Sequence, residues 1–226
     1  MKPWLAAPAL ALALAAQAQV APSPAEVAAY TGLHAAAHRG DAAAIRAAAP
    51  AALEARDGHG RTPLHVATFA RRHDAIRALN AAGARTDTLE NDRYDAVTIA
   101  AVADDEETLR LLLSLGASAR LVTSRWHGTA LIAAAHLGHD GVVRQLIAAG
   151  APLDHVNTLH WTAVIESIVL GDGGPWHQAT LKALIDAGAN LQLADRDGRT
   201  PLQLARSRGY AAMASMLERA GASAPR

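Results

Sequence analysis

The sequence predicts an all-α fold built as a solenoid, a one-dimensional stack of short helix pairs. Three observations predict it. A hexad recurs as Thr62-Pro63-Leu64-His65-Val66-Ala67, Asp95-Ala96-Val97-Thr98-Ile99-Ala100, Thr129-Ala130-Leu131-Ile132-Ala133-Ala134, Thr162-Ala163-Val164-Ile165-Glu166-Ser167 and Thr200-Pro201-Leu202-Gln203-Leu204-Ala205, with starts 33, 34, 33 and 38 residues apart. A second mark keeps the same beat: Gly83-Ala84, Gly116-Ala117, Gly150-Ala151, Gly188-Ala189 and Gly221-Ala222. The chain is 51% apolar yet only 4% aromatic, so its core must be assembled from small and branched aliphatic side chains. A period of this length marks units that cannot bury their own apolar face and are stabilised by stacking on their neighbours.

The 226-residue chain opens with a different signal. Lys2 precedes an apolar run from Leu5 to Ala16, closed by Ala16-Gln17-Ala18. A basic start, a short apolar stretch and an A-x-A site predict a secretory signal over residues 1–18, cleaved after Ala18. The run is shorter than the roughly 20 residues needed to span a bilayer, and no later segment is long enough, so no stable membrane span is expected in the mature chain. Residues 19–25 are expected to form an extended linker, because the prolines of Gln19 to Pro24 disfavour helix. The Ala/Arg/Gly-heavy usage resembles that of a high-GC bacterium, so export points to the periplasm of a Gram-negative cell. The chain has no cysteine, which excludes disulfides, thiol nucleophiles, Cys-ligated zinc and covalent haem. Its 21 basic and 21 acidic residues argue against a nucleic-acid partner.

Each mark of the repeat has a physical task. Thr62 or Thr200 can cap a helix N-terminus, and the following Pro stands at N1, where no N–H is needed. The Leu and Ala positions behind it make a narrow apolar stripe on a short first helix. The second helix carries a wider face, as in Leu109, Leu111, Leu112 and Leu113, or Val142, Val143, Leu146 and Ile147. The Gly of each Gly-Ala mark then fits the C′ position, where φ is positive.

With these marks in phase, the chain resembles the ankyrin repeat family, whose T-P-L-H-x-A signature and 33-residue period it matches. Leu33-His34-Ala35-Ala36 supplies a shorter first unit, giving six expected repeats at 26–56, 57–89, 90–122, 123–156, 157–194 and 195–222, followed by a tail over 223–226. The departures from the pattern are Arg71-Arg72 and Asp104-Asp105 in place of Gly-His between paired helices, Arg93 in place of a turn glycine, and about five extra residues, Asp172-Gly173-Gly174-Pro175-Trp176, in the fifth unit.

The resemblance implies β-turn or hairpin fingers and a concave surface that binds a protein or peptide. The expected partner-binding residues are His59, Arg61, Asp92, Tyr94, Arg125, Trp126, His160 and Trp161 on the fingers, with Trp176 in the inserted loop. Rigid aromatics and arginine dominate binding hot spots. On this view replacing Trp126 and Trp161 together should abolish binding without lowering thermal stability.

Catalytic chemistry finds little support. No G-x-S-x-G, S-x-x-K or H-E-x-x-H occurs. Gly171-Asp172-Gly173-Gly174 is similar to a phosphate loop only superficially, without a preceding strand or G-K-[ST] ending. His34 and His65 stand at the signature position, and His139 and His177 before second helices, where imidazoles generally bond the backbone. No cofactor and no metal site are expected. The alternative is an enzyme, or a small-ligand or metal receptor, built on the fifth-unit insertion, with Glu166, Asp172, Trp176 and His177 converging on one pocket.

Overall fold

A computed structural model describes residues 19–222; the expected signal over 1–18 and the tail over 223–226 lie outside the described residues. The chain opens with α1 (Pro24–Ala29) and then forms six helix pairs: α2 (Gly32–Arg39) with α3 (Ala42–Arg46), α4 (Pro63–Phe69) with α5 (His73–Ala81), and α6 (Ala96–Val102) with α7 (Glu106–Ser114). These are followed by α8 (Ala130–Leu137) with α9 (Asp140–Ala148), α10 (Ala163–Val169) with α11 (Pro175–Asp186), and α12 (Pro201–Ser207) with α13 (Ala211–Arg219).

First helices touch first helices and second helices touch second helices along the whole stack. Leu33, Leu64, Val97, Leu131, Val164 and Leu202 form successive buried rungs of one continuous core. The helix boundaries follow from local chemistry. Asp95, Thr129 and Thr162 accept from the backbone N–H three residues ahead, filling the N-cap role. Second helices stop at glycines in the left-handed region, such as Gly83 at φ 97° and Gly116 at φ 90°.

The linker expected over 19–25 ends sooner than that. Pro24 is the first residue of α1, capped by Ser23 in a reciprocal pair with Glu26. Proline breaks a helix from within but not at its first position, where its missing N–H has no acceptor to lose.

The non-glycine departures keep the backbone geometry of the repeat. Arg71 and Asp104 have φ of 53° and 51°, in the region that Gly40, Gly138 and Gly209 occupy in the equivalent turns. Arg93 at 68° and His160 at 62° likewise match Gly60 and Gly198 in the fingers.

The fifth-unit insertion is only partly a loop. Pro175 and Trp176 form the first turn of α11, which runs to 12 residues where α5, α7, α9 and α13 have 9. The glycines before it allow close contact with the sixth pair. A Cβ on Gly173, at φ 71°, would collide with the Tyr210 ring, and the Tyr210 hydroxyl donates to the Gly171 carbonyl at 2.9 Å.

Candidate functional site

Five fingers lead into α4, α6, α8, α10 and α12, and four of them share one local design. The side chain of the first finger residue accepts from the N–H groups two and four positions ahead. Asp57 bonds His59 and Arg61, Glu90 bonds Asp92 and Tyr94, Asn157 bonds Leu159 and Trp161, and Asp195 bonds Asp197 and Arg199. This is how a short polar side chain closes a turn on itself. The finger before α8 differs: Val122–Thr123 pairs antiparallel with Gly128–Thr129, and Ser124 Oγ accepts from Gly128 N at 3.2 Å.

Neighbouring fingers are then joined through their backbones. Asn91 N donates to His59 O at 3.0 Å, Ser124 N to Arg93 O at 2.9 Å, and Thr158 N to Trp126 O at 2.9 Å. These bonds tie neighbouring fingers into a row that is held by the chain itself.

The histidines at the base of the stack are occupied structurally. Burial lowers the His65 imidazole to about 4, so it is neutral; Nδ1 accepts from Thr62 N, and Nε2 donates to Thr88 O at 3.1 Å. His34 Nε2 bonds Arg61 O, His139 Nδ1 bonds Ala101 O and His177 Nε2 bonds His136 O, each a brace between adjacent repeats. Among the described residues no group of three or more His, Asp or Glu is arranged to hold a metal ion.

The residues expected to meet a partner separate into three environments. Arg61 is not exposed on its finger: it is 1% accessible, paired with Glu26 and with Asp57 at 2.7 Å. His59 also faces Glu26, at 3.1 Å. The chain's own N-terminal segment covers this finger, because α1 delivers a carboxylate that a buried guanidinium needs. Tyr30 reinforces the arrangement by donating to Asp57 at 2.8 Å. Burial by itself would raise the Asp57 carboxyl, but bonds from the Arg61 backbone, Tyr30 and the Arg61 side chain hold it below the ordinary value.

The middle fingers bring Asp92, Tyr94, Arg125 and Trp126 together around one small cleft. Asp92 and Arg125 form an ion pair that links their two fingers. Trp126 is 40% exposed although its backbone is fixed by two bonds from Thr158. On the next finger His160 is exposed, while Trp161 is partly buried against the core. Replacing Trp161 is therefore expected to lower stability, contrary to the sequence expectation.

Trp176 stands apart. It is 70% exposed at the start of α11, on the turn between paired helices, and does not join the aromatic residues of the fingers. Asp172 accepts a bond from His177 at 2.9 Å, as the insertion reading requires. Glu166, however, goes elsewhere. It is buried on α10, where Oε1 accepts from Asn157 Nδ2 at 2.9 Å and Oε2 lies 3.5 Å from His136 Nδ1. The four side chains expected to converge therefore do not: Asp172 and His177 bond each other, Trp176 is exposed, and Glu166 bonds Asn157.

A cavity of about 80 Å³ forms instead above Glu166, with Tyr94, Trp126, Ala133, His136 and Asn157 in its wall. Burial pushes the Glu166 carboxyl up to about 7, opposed by the Asn157 bond. Burial also lowers the His136 imidazole, with His177 and His139 adding repulsion. The partners of Glu166 are thus Asn157 and His136 rather than the insertion residues expected from the sequence. The usable signal was its register: the fifth hexad position reads Val66, Ile99, Ala133, Glu166 and Leu204, with one charge among aliphatic residues.

Comparison with known proteins agrees with this architecture. Residues 127–158 match the family model of the ankyrin repeat. A putative ankyrin repeat protein of Escherichia coli, YahD, is 34% identical over 167 residues, covering 74% of this chain and 83% of that protein. An ankyrin repeat domain from Acinetobacter baumannii superposes with a TM-score of 0.78 at 42% identity, over 84% of this chain and 98% of its own. A chain from the complex of a predatory endopeptidase of Bdellovibrio bacteriovorus with an immunity protein shares the fold, with a TM-score of 0.68 at 23% identity over 84% of this chain and 98% of its own. The sequence, the stacked helix pairs and these likenesses agree: the chain belongs to the ankyrin repeat family.

Proposed function

We propose that this protein is a non-catalytic interaction module, exported to the periplasm, that holds a protein or peptide segment in its concave groove. The observation that carries the reading is the meeting of Tyr94, Trp126, Asp92 and Arg125 on two joined fingers, beside a cavity that reaches to Glu166. Trp126 offers a large, rigid face, and its backbone is already held by Thr158. Binding to such a surface loses little ordering entropy. Membership of a family whose domains generally serve protein interaction supports the same reading. Among the described residues no helix is long and apolar enough to cross a membrane. Export rests on the N-terminal sequence pattern alone.

The test is crosslinking in the native envelope followed by mass spectrometry, with Trp126→Ala alongside the unchanged chain. A partner recovered with the unchanged chain and lost at least tenfold with Trp126→Ala supports the proposal. Only background in both, or equal recovery in both, sinks it. N-terminal sequencing of the protein from a periplasmic fraction tests export separately, with cleavage after Ala18 as the expected result.

A further inference from the structure

The Glu166 carboxylate, buried beside the fingers, carries an inference that rests on the interaction reading and deepens it by naming what the groove recognises. Glu166 is 5% exposed. One of its oxygens accepts from Asn157, and the other makes no hydrogen bond among the described residues. The nearby His136 imidazole is disfavoured as a counter-charge, since burial and two neighbouring histidines lower its affinity for a proton.

Among the described residues no lysine or arginine lines the cavity over this carboxylate. Its volume, about 80 Å³, is well above the roughly 10–15 Å³ that one water needs. The space exists because Ala133 occupies the register that Val66, Ile99 and Leu204 fill in other units, and because Gly128 adds no side chain beside it. Trp126 and Tyr94 form its walls, and the faces of such rings attract cations.

An ionised carboxylate taken out of water without a counter-charge is costly to the fold. Here the missing charge, the aromatic walls and the free volume converge on one point of the groove. We propose that this cavity is a subsite for a cationic side chain of the bound partner, a lysine ammonium or an arginine guanidinium, with Glu166 as its counter-ion and Trp126 and Tyr94 as its walls.

The probes are n-butylammonium and ethylguanidinium, with n-butanol as the neutral control, titrated at pH 8 while the Trp126 indole and His136 ring resonances are followed. A saturable shift with either cation, at least tenfold weaker in Glu166→Gln and absent with n-butanol, is the expected result; the stronger of the two probes identifies the preferred side chain. Gln at position 166 can still accept from Asn157, so that variant is expected to fold. Ala133→Leu provides an independent check by filling the cavity while leaving the carboxylate in place, and it should abolish the response. Equal shifts in Glu166→Gln, a response to n-butanol matching that to the cations, or no saturable shift in the unchanged chain overturns the assignment. Because the probes are small ions, failure here leaves the envelope-crosslinking result standing, and failure of that experiment leaves the probe titration interpretable.

Discussion

Arg61, on a finger, and Glu166, on the helix that follows one, are both buried ionisable side chains, yet the protein treats them in opposite ways. Arg61 is 1% exposed and meets two carboxylates, Glu26 from α1 and Asp57 from its own finger. Glu166 is 5% exposed and meets an amide and an imidazole whose proton affinity burial lowers. A buried charge with its partners inside the chain closes that part of the surface. A buried charge left without one is a cost to folding that only something from outside can offset. The contrast separates the structural end of the groove from the part proposed to bind.

The largest expected effect comes from breaking the closed case. Arg61→Met leaves the partly buried Asp57 without its cation; removing one partner of a fully buried pair typically costs about 3–5 kcal/mol, and the loss expected here is at the low end of that range, about 3 kcal/mol. Chemical denaturation is the measurement. A loss below about 1 kcal/mol would mean that Asp57 and Glu26 simply turn out to water, and the comparison would lose its first half.

The open case should respond with the opposite sign. The Glu166 carboxyl is raised in the folded protein from its ordinary 4.5 to about 7. Between those values the folded chain keeps a proton that the unfolded chain has released, so stability falls as pH rises from about 4.5 and levels off above about 7. Glu166→Gln removes that loss. It should stabilise the protein by about 3 kcal/mol at pH 8 and have little effect at pH 4, on the usual conversion of pKa to free energy. Parallel melting curves at the two pH values decide it; a variant destabilised equally at both would show that the carboxylate is a structural element like Asp57.

A smaller effect sharpens the distinction between the two finger tryptophans. Trp161→Ala should lower stability by about 1–2 kcal/mol, a fraction of the 3–5 expected for a fully buried tryptophan. Trp126→Ala should cost under about 0.5 kcal/mol, as exposed positions usually do. Thermal unfolding of the two single variants tests both; the reverse order would move the proposed contact from Trp126 to Trp161. Another small effect, of opposite sign, concerns the finger backbone. Arg93 holds φ 68°, so Arg93→Gly should stabilise by roughly 0.5–1 kcal/mol, the strain released less the entropy glycine adds to the unfolded chain. No gain would indicate that the Arg93 side chain compensates its backbone.

Much of this architecture was legible because its causes are local. The hexad holds the N-cap and the narrow apolar stripe, the Gly-Ala mark holds the helix stop, and both recur within about 35 residues. Even the departures at Arg71, Arg93 and Asp104 were visible as glycine replacements, although their positive φ values required the structure. The finger turns were less legible. Asp57, Glu90, Asn157 and Asp195 close them with side chains that share a hydrogen-bonding role but no single residue type. The insertion was visible as extra residues, but its division between a glycine joint and an extended α11 depended on Tyr210, which lies in the next unit.

The sequence by itself determined that short helix pairs repeat and stack, because capping, helix termination and apolar spacing act over one turn or one repeat. Tertiary structure alone decided which charged side chains remain available. The α1 segment lies far from Arg61 along the chain and still neutralises it, whereas Glu166 is enclosed by the Asn157 amide and by His136, whose proton affinity burial lowers. Desolvation and charge pairing depend on distance in space, and the stack places residues of neighbouring units within a few ångströms of one another.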